Sequence, residues 1–386
     1  YEGIQVGDNG QSLMLGGINE QGEDVFNLLS QLCLEASCNN KLIDPKINLR
    51  VNKNTPLEVY EFASELTKAG LGFPQYSNDD VVIDALLKHG YELRDARDYV
   101  VAACWEFIIP KCGADVNNIG DLSFPGVVDT VLREKFMDCD TFEDFMDAVK
   151  AEIFKQCDAL TTKVDRLWFV PSPFMNILID GGIYNGAKYN NFGFHGCGVA
   201  TATDSLAVIK KYVYDEKSIS KETLLEAVTS DFEKHSELLP ILRYEAPKMG
   251  NDIDWVDDIS VRILKMFSDG LKGKKNCRGG VYRAGTGTAM NYLRHAAKIG
   301  ASPDGRRKGE PLGTNFSPSL FAKLDGPFSI IKSFSKQDFS SAINGGPLTL
   351  EFASSMFADE DSVKKVGALV KAYIDISSVI LWLNQR

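Results

Sequence analysis

Short apolar segments alternate with helical patterns along most of this 386-residue chain. Residues 49–51 have the length and composition of a buried strand, and residues 56–69 have a helical apolar face with a proline in the first turn. A second helix is predicted at 78–89, with Asn78 as its cap. Residues 167–170 and 174–179 are apolar and predict buried segments. This alternation predicts an α/β protein built largely around parallel strands.

The charge, the hydropathy and the cysteine pattern of the chain argue against several kinds of partner and ligand. The net charge is -11, from 42 basic and 53 acidic side chains, which argues against nucleic acid and anionic membranes as partners. No apolar run reaches the roughly 18 residues of a membrane span. The eight cysteines form no CxxC pair and the four histidines show no metal spacing, so we expect reduced thiols, no metal and a cytoplasmic location.

A cysteine and a glutamate interrupt the apolar run at 100–109. In one extended segment, Cys104 and Glu106 would lie at i and i+2 and would point to the same face. Burial disfavours the charged form of a carboxylate, which suits a glutamate to general acid–base work near neutral pH. The spacing alone favours the alternative of a buried cysteine beside a glutamate that is paired elsewhere.

Four blocks of sequence favour a catalytic role for Cys104 and Glu106 over the structural alternative. They resemble, in order, the segments of glycyl radical enzymes of the pyruvate formate-lyase-like superfamily. The most specific of them reads GASPDGRRKGEP and is followed by NFSP. The blocks are residues 50–56, 70–74, 78–79 and 95–99 leading to Cys104-Trp105-Glu106, then 186–193, then 279–290, and then 300–318.

The resemblance implies a ten-stranded α/β barrel. The whole chain, 1–386, would be the C-terminal half of that barrel, with the cysteine on a loop at about 100–113 inside it. In the family, an activating enzyme that uses S-adenosylmethionine and an iron–sulfur cluster installs a glycyl radical, and the radical passes to the cysteine. No cofactor would be bound directly by this chain.

The residues around the cysteine imply a reaction class. Ala103 precedes Cys104, whereas formate-lyase types use two adjacent cysteines. The Cys-x-Glu pattern resembles radical lyases, in which the cysteine abstracts a hydrogen atom and Glu106 would remove a substrate proton. We therefore expect cleavage of a C–O, C–N or C–S bond in a small substrate. Radical decarboxylation of an arylacetate, or an inactive binding or assembly subunit, are the alternatives.

Four further residues are weaker candidates for substrate binding. Asp115, Asn117 and Asn118 follow the cysteine loop, where the family's pocket often lies, although polar surface turns also have this composition. His195 lies in a glycine-rich block, where a hydrogen-bonded structural histidine is the alternative interpretation.

Two other patterns have structural explanations. The glycine-rich stretches at 193–198 and 285–287 do not complete a dinucleotide fingerprint, which needs GxGxxG after a strand and an acidic residue about 20 positions on. Arg306 and Arg307 could bind an anion, but we favour a turn that is held by ion pairs from these arginines to Asp304 or Glu310.

The family's radical-bearing Arg-Val-x-Gly-Tyr motif does not occur in this sequence. We therefore expect a glycyl radical domain outside it. The chain would be a fragment of a longer polypeptide, a subunit of a split enzyme, or a degenerate homologue, and we favour the first. In each case we expect either the rest of the chain or a partner subunit, because half a barrel exposes strand edges. Homo-oligomerisation is also expected.

Overall fold

The computed structural model divides the chain into two compact units. It describes residues 11–42, 44–102, 104–167, 172–179, 182, 187–376 and 380–385. Unit 1 consists of Tyr1–Asp115, Ser172–Tyr189 and Gly345–Arg386, and unit 2 of Val116–Pro171 and Asn190–Asn344.

The strands of the described residues are, in chain order, β1 (Ser12–Gly16), β2 (Lys46–Val51), β3 (Gln75–Asn78), β4 (Val100–Ala102), β5 (Glu106–Ile108), β6 (Val116–Ser123), β7 (Phe192–Cys197), β8 (Tyr282–Gly285), β9 (Leu348–Phe352) and β10 (Ile380–Gln385).

The α-helices of the described residues are, in chain order, α1 (Leu28–Asn40), α2 (Leu57–Lys68), α3 (Asp79–Lys88), α4 (Leu93–Arg97), α5 (Phe124–Glu134), α6 (Phe142–Val164), α7 (Pro173–Leu178), α8 (Val199–Val208), α9 (Lys221–Thr229), α10 (Leu238–Pro240), α11 (Asp254–Leu271), α12 (Asn291–Ala296), α13 (Pro327–Ser335) and α14 (Ser362–Asp375). Two π-helical turns, Ile209–Asp215 and Ile241–Glu245, continue α8 and α10.

Unit 1 contains a five-stranded mixed sheet in the order β1-β2-β3-β10-β9. The pairs β1–β2, β2–β3 and β9–β10 are parallel, and β3 pairs with β10 antiparallel. Since β2 is buried along almost all of its length, the sheet is covered on both faces, as parallel strands usually are. Helices α2 and α14 pack closely, and Gly367 of α14 lies so near the backbone of Glu61 that a Cβ there would be 2.7 Å from its nitrogen.

The helix signals in unit 1 act as the sequence predicts. The side chain of Asn78 accepts a hydrogen bond from the backbone N–H of Asp80 at 3.1 Å, which caps α3. Pro56 stands immediately before α2, and Gly70, at φ +84°, follows it. The predicted helices at 56–69 and 78–89 are therefore confirmed to within two residues at each end.

Unit 2 contains a three-stranded parallel sheet in the order β6-β7-β8. Every residue of α8 is buried, so this helix lies within the core of the unit. Aromatic side chains pack elsewhere in the core of this unit. Phe124 packs edge to face against Phe267 with ring centroids 5.6 Å apart, and Phe136 packs in the same way against Phe145 with ring centroids 5.4 Å apart. Together with unit 1, this sheet confirms the predicted α/β class with mainly parallel strands.

The turn at 300–311 is held by a buried arginine. Arg306 is 1% exposed, and its guanidinium donates to the hydroxyl of Ser302 at 3.1 Å and to the carbonyls of Arg307 and Glu310 at 2.9 and 2.8 Å. These bonds occupy the guanidinium with groups of its own turn. Arg306 therefore holds its own turn, as predicted, but through a hydroxyl and backbone carbonyls and not through the predicted ion pairs to Asp304 or Glu310.

The predicted buried segment at 174–179 is wrong. Residues 173–178 form α7, in which Phe174, Ile177 and Leu178 are 83%, 78% and 71% exposed. A short apolar run carries no period that separates core from surface, which is why the sequence misleads here. The other predicted segment, 167–170, lies outside the described residues except for Leu167, which is exposed. None of the described helices has the length and apolar character to cross a bilayer.

Candidate active site

Cys104 lies in the turn of a β-hairpin in unit 1. Strands β4 and β5 pair antiparallel, with Val100 opposite Ile108 and Ala102 opposite Glu106. The predicted single extended segment is therefore wrong, because the run doubles back between Ala102 and Glu106, which pair across the hairpin. Neither Cys104 nor Trp105 is a typical turn former, so the sequence offered no signal for the reversal. Ala103 lies outside the described residues.

The hairpin nevertheless brings Cys104 and Glu106 together. Glu106 is buried, and its Oε2 accepts hydrogen bonds from the backbone N–H of Cys104 at 3.3 Å and of Trp105 at 3.1 Å. The carboxylate thus folds back across the turn toward the cysteine, which is half-buried and carries a thiol. The two predicted residues form one constellation through the turn, not through strand alternation.

The turn is enclosed by its own unit. Trp105 is 4% exposed and Phe107 is fully buried, and Phe107 meets Tyr99 edge to face at 5.2 Å. Gly345, at φ +93°, lies against the turn, where a Cβ would be 2.3 Å from the carbonyl oxygen of Trp105. Only glycine permits this approach, so the backbone at 345 fixes one side of the cysteine turn.

A buried charge network anchors the base of the hairpin. Arg50 donates from Nε and Nη2 to the two carboxylate oxygens of Asp79 at 2.8 and 3.0 Å, and Tyr99 OH donates to Asp79 at 2.7 Å. The Arg50 guanidinium also lies 4.0 Å from the centre of the Tyr99 ring. Burial alone lowers the pKa of Arg50, but Tyr99 and Asp79 outweigh it and raise that pKa. Tyr99 immediately precedes β4, so the network positions the hairpin.

Asp115 is also in unit 1, where Tyr91 OH donates to its Oδ2 at 2.7 Å. The Tyr91 ring in turn lies 4.4 Å from that of Tyr189. Asp115 is therefore a half-buried acceptor held by an aromatic pair. Its predicted role in substrate binding stays a prediction.

Asn117 and His195 meet in unit 2 through Asn344. The side-chain amide of Asn344 donates to the carbonyl oxygen of Asn117 at 2.6 Å and lies 3.3 Å from Nε2 of His195. His195 Nδ1 accepts from the backbone N–H of Gly287 at 3.0 Å. Asn118 is exposed on the bulged part of β6 and is not part of this group. The roles predicted for these residues in substrate binding stay predictions.

The sequence did not single out Asn344 or Arg283. Both are fully buried, and Arg283 Nη2 donates to Oδ1 of Asn117 at 2.6 Å. Arg283 lies in one of the four blocks, and Asn344 precedes the glycine pair Gly345-Gly346. A buried amide can be recognised from sequence only when its partners are known, and these are distant in the chain.

Within the described residues, Asp121, Cys197 and His295 form the group of ligand-type side chains compact enough for a metal ion. All three belong to unit 2. The sequence predicted no metal, because these positions are far apart along the chain.

Comparison with known proteins identifies the family to which this fold belongs. A family model described as "Pyruvate formate lyase-like" matches residues 1–294. The chain is 27% identical to trans-4-hydroxy-L-proline dehydratase of Clostridioides difficile, covering 96% of this chain and 50% of that protein. It is 28% identical to (2S)-3-sulfopropanediol dehydratase of Klebsiella oxytoca, covering 95% of this chain and 48% of that protein.

Solved structures agree with this. The B12-independent glycerol dehydratase from Clostridium butyricum superposes with a TM-score of 0.92 at 30% identity, covering 97% of this chain and 51% of that one. The predicted fold class is thereby confirmed. The chain spans about half the length of the relatives it matches.

Proposed function

Because this chain belongs to the pyruvate formate lyase-like family of glycyl radical enzymes, we propose that it provides the cysteine turn of a radical lyase. Cys104 is the residue that abstracts hydrogen, and Glu106 is the base. One observation carries this proposal: the buried carboxylate of Glu106 is hydrogen-bonded over the turn that contains Cys104.

The glycyl radical, outside this sequence, supplies the one-electron oxidation of the Cys104 thiol. The sulfur of Cys104 then takes a hydrogen atom from the substrate carbon that carries a hydroxyl group. Glu106 accepts the hydroxyl proton while the bond from the neighbouring carbon to the leaving group breaks, and the leaving group departs with the electron pair. The Cys104 S–H finally returns its hydrogen atom to the product carbon.

The surroundings of the turn suit this chemistry. Trp105 and Phe107 pack in the core of unit 1, and Gly345 closes on the backbone of the turn. An enclosed turn limits the access of water to reactive intermediates. The Arg50–Asp79–Tyr99 network keeps the two strands of the hairpin in place while the side chains react.

The substrate we propose is a small molecule with a hydroxyl group beside a C–O, C–N or C–S bond. Its support is the dehydratase names of the relatives together with the Cys-x-Glu pair. Asp115, Asn117, Asn118 and His195 remain the proposed substrate contacts. Arylacetate decarboxylation, and an inactive binding or assembly role, are the alternatives that the test below separates.

The reaction needs partners. We propose an activating enzyme that uses S-adenosylmethionine and an iron–sulfur cluster, and the remainder of the barrel with its radical glycine on the same polypeptide or on a partner subunit. The highly exposed apolar side chains of α7 support such a covering segment. A cytoplasmic location and homo-oligomerisation complete the proposal.

The test is anaerobic activation of the protein at its natural length, followed by turnover of a panel of diols, amino alcohols, hydroxysulfonates and arylacetates. We expect Cys104→Ser to lose turnover by at least about 1,000-fold with an unchanged circular dichroism spectrum. The matched control is Cys33→Ser, because Cys33 is also half-buried in unit 1 but lies on α1. Product from an arylacetate alone favours the decarboxylase, and undiminished turnover in Cys104→Ser refutes the proposal.

A further inference from the structure

Three side chains of unit 2 converge from three different elements. Asp121 lies on β6, Cys197 ends β7 and His295 lies on α12. One oxygen, sulfur or nitrogen atom of each lies within 4.8 Å of those of the other two. None of the three was assigned a role in the radical reaction.

The sheet register explains how two of them meet. Strands β6 and β7 run parallel, with Asp121 opposite His195 and Ser123 opposite Cys197. Side chains two positions apart on a strand share a face, so Asp121 and Cys197 are diagonal neighbours on one face of the sheet. Helix α12 then brings the Nε2 atom of His295 into contact with the Asp121 carboxylate.

A buried cysteine sulfur distinguishes this cluster from an ordinary ion pair. Cys197 is fully buried, and its sulfur lies within 4.8 Å of a ligand atom of both Asp121 and His295. A buried sulfur therefore lies beside a partly exposed carboxylate–imidazole pair.

We propose that Asp121, Cys197 and His295 bind a divalent transition-metal ion of the zinc type. Thiolate, imidazole and carboxylate are all zinc ligands, and a mixed sulfur, nitrogen and oxygen set favours zinc over magnesium or calcium, which prefer oxygen alone. Binding replaces the thiol proton of Cys197 with the metal ion, and the proton is released to solvent.

Three protein ligands leave a fourth tetrahedral position for water. The side chains of Asp121 and His295 are 25% and 20% exposed, so the ion and its water reach the site from that side while the sulfur closes the other. An ion here links α12 to β6 and β7. It is independent of the radical chemistry proposed above, because none of its ligands takes part in that reaction.

The test uses the reduced, unactivated protein at its natural length, titrated with Co(II) without oxygen. Co(II) bound to a thiolate gives a near-ultraviolet charge-transfer absorption band. We expect one Co(II) per chain with this band and its displacement by Zn(II). The band should be lost in Cys197→Ser and kept in Cys157→Ser, whose cysteine is also buried in unit 2 but lies on α6.

A second variant covers the case in which Cys197→Ser does not fold. His295→Gln changes a partly exposed position and should weaken Co(II) binding at least about 10-fold, with an unchanged circular dichroism spectrum. Absence of the charge-transfer band at saturating Co(II), or equal affinity in the wild type and His295→Gln, overturns the proposal. Because no radical is needed, either outcome leaves the lyase proposal untouched.

Discussion

Cys104 and Glu106 are separated by one residue, and their contact depends on which way that residue turns the backbone. In a strand the two side chains would lie on the same face, and the pleat of the strand would set the distance between them. In the hairpin turn the backbone N–H groups of Cys104 and Trp105 both donate to the glutamate, so its carboxylate is oriented before substrate binds. This orientation is what a base for a hydroxyl proton requires.

Glu106→Gln separates the two roles. Glutamine keeps an oxygen that accepts from the backbone but cannot take up a proton. We expect turnover to fall at least about 100-fold, while hydrogen exchange between substrate and Cys104 continues in the activated protein. Mass spectrometry of deuterated substrate follows both processes. Normal turnover by the variant contradicts the proposed role of Glu106.

A buried carboxylate outside the site makes stability depend on pH. Asp204, on the wholly buried α8, has its pKa raised from 3.8 to about 7 by burial, with its Oδ1 accepting from the N–H of Met249 at 2.7 Å. Between these pH values the folded state binds more protons than the unfolded state. Stability should therefore fall as the pH rises through this range.

Asp204→Asn removes this dependence and keeps the acceptor oxygen. We expect the variant to be more stable than the wild type at pH 8 by about 4 kcal/mol, and the difference to shrink or reverse at pH 4. Urea unfolding at both pH values measures it, with Asp258→Asn, at an exposed position, as the control. A parallel pH dependence in wild type and variant would show that Asp204 does not titrate this way.

At the scale of elements, the hairpin β4–β5 depends on a glycine that is distant in sequence. Gly345 and Gly90 have nearly the same positive φ, +93° and +86°, but a Cβ at Gly90 meets nothing within 4 Å, whereas one at Gly345 would strike the carbonyl of Trp105. The two positions separate backbone strain from the steric effect on the cysteine turn.

We expect Gly90→Ala to cost about 1 kcal/mol of unfolding free energy and to leave turnover unchanged. Gly345→Ala should cost more, about 2–4 kcal/mol, and should reduce turnover at least about 10-fold, because the turn that carries Cys104 must move. Chemical denaturation and turnover of the activated protein provide the comparison. Equal effects of the two substitutions would mean that Gly345 does not position the turn.

Local sequence signals predicted the helices whose ends are marked by capping or helix-terminating residues. Asn78 caps α3, and Pro56 and Gly70 bound α2, as the sequence indicated. The hairpin at Cys104 was missed because its reversal uses no glycine, proline or asparagine among the described residues. The exposed α7 was missed because a short run with five apolar residues and one asparagine is compatible with either core or surface.

At the scale of the whole molecule, four sequence blocks predicted the family and the fold class, and the family model and the solved structures confirm both. The blocks could not predict which distant residues meet. Asn344 joins His195 to Asn117, and His295 reaches Asp121, only because parallel strands and long connections bring them together. Such contacts depend on tertiary packing and leave no local pattern.

The proposal that the rest of the barrel lies elsewhere has its own test. We expect the denatured intact mass of the protein from its native source to exceed 42.6 kDa, the mass of these 386 residues. If the mass equals that of this chain, a partner subunit that carries the radical glycine should copurify. A matching mass with no partner would support the inactive binding or assembly role.

The most direct test of the central claim follows a hydrogen atom through Cys104. The anaerobically activated protein is given substrate deuterated at the hydroxyl-bearing carbon, and turnover of wild type, Cys33→Ser and Cys104→Ser is measured. We predict a primary isotope effect in the first two proteins and no turnover in the third. Turnover by Cys104→Ser at the wild-type rate, with the same isotope effect, would show that another residue abstracts the hydrogen atom.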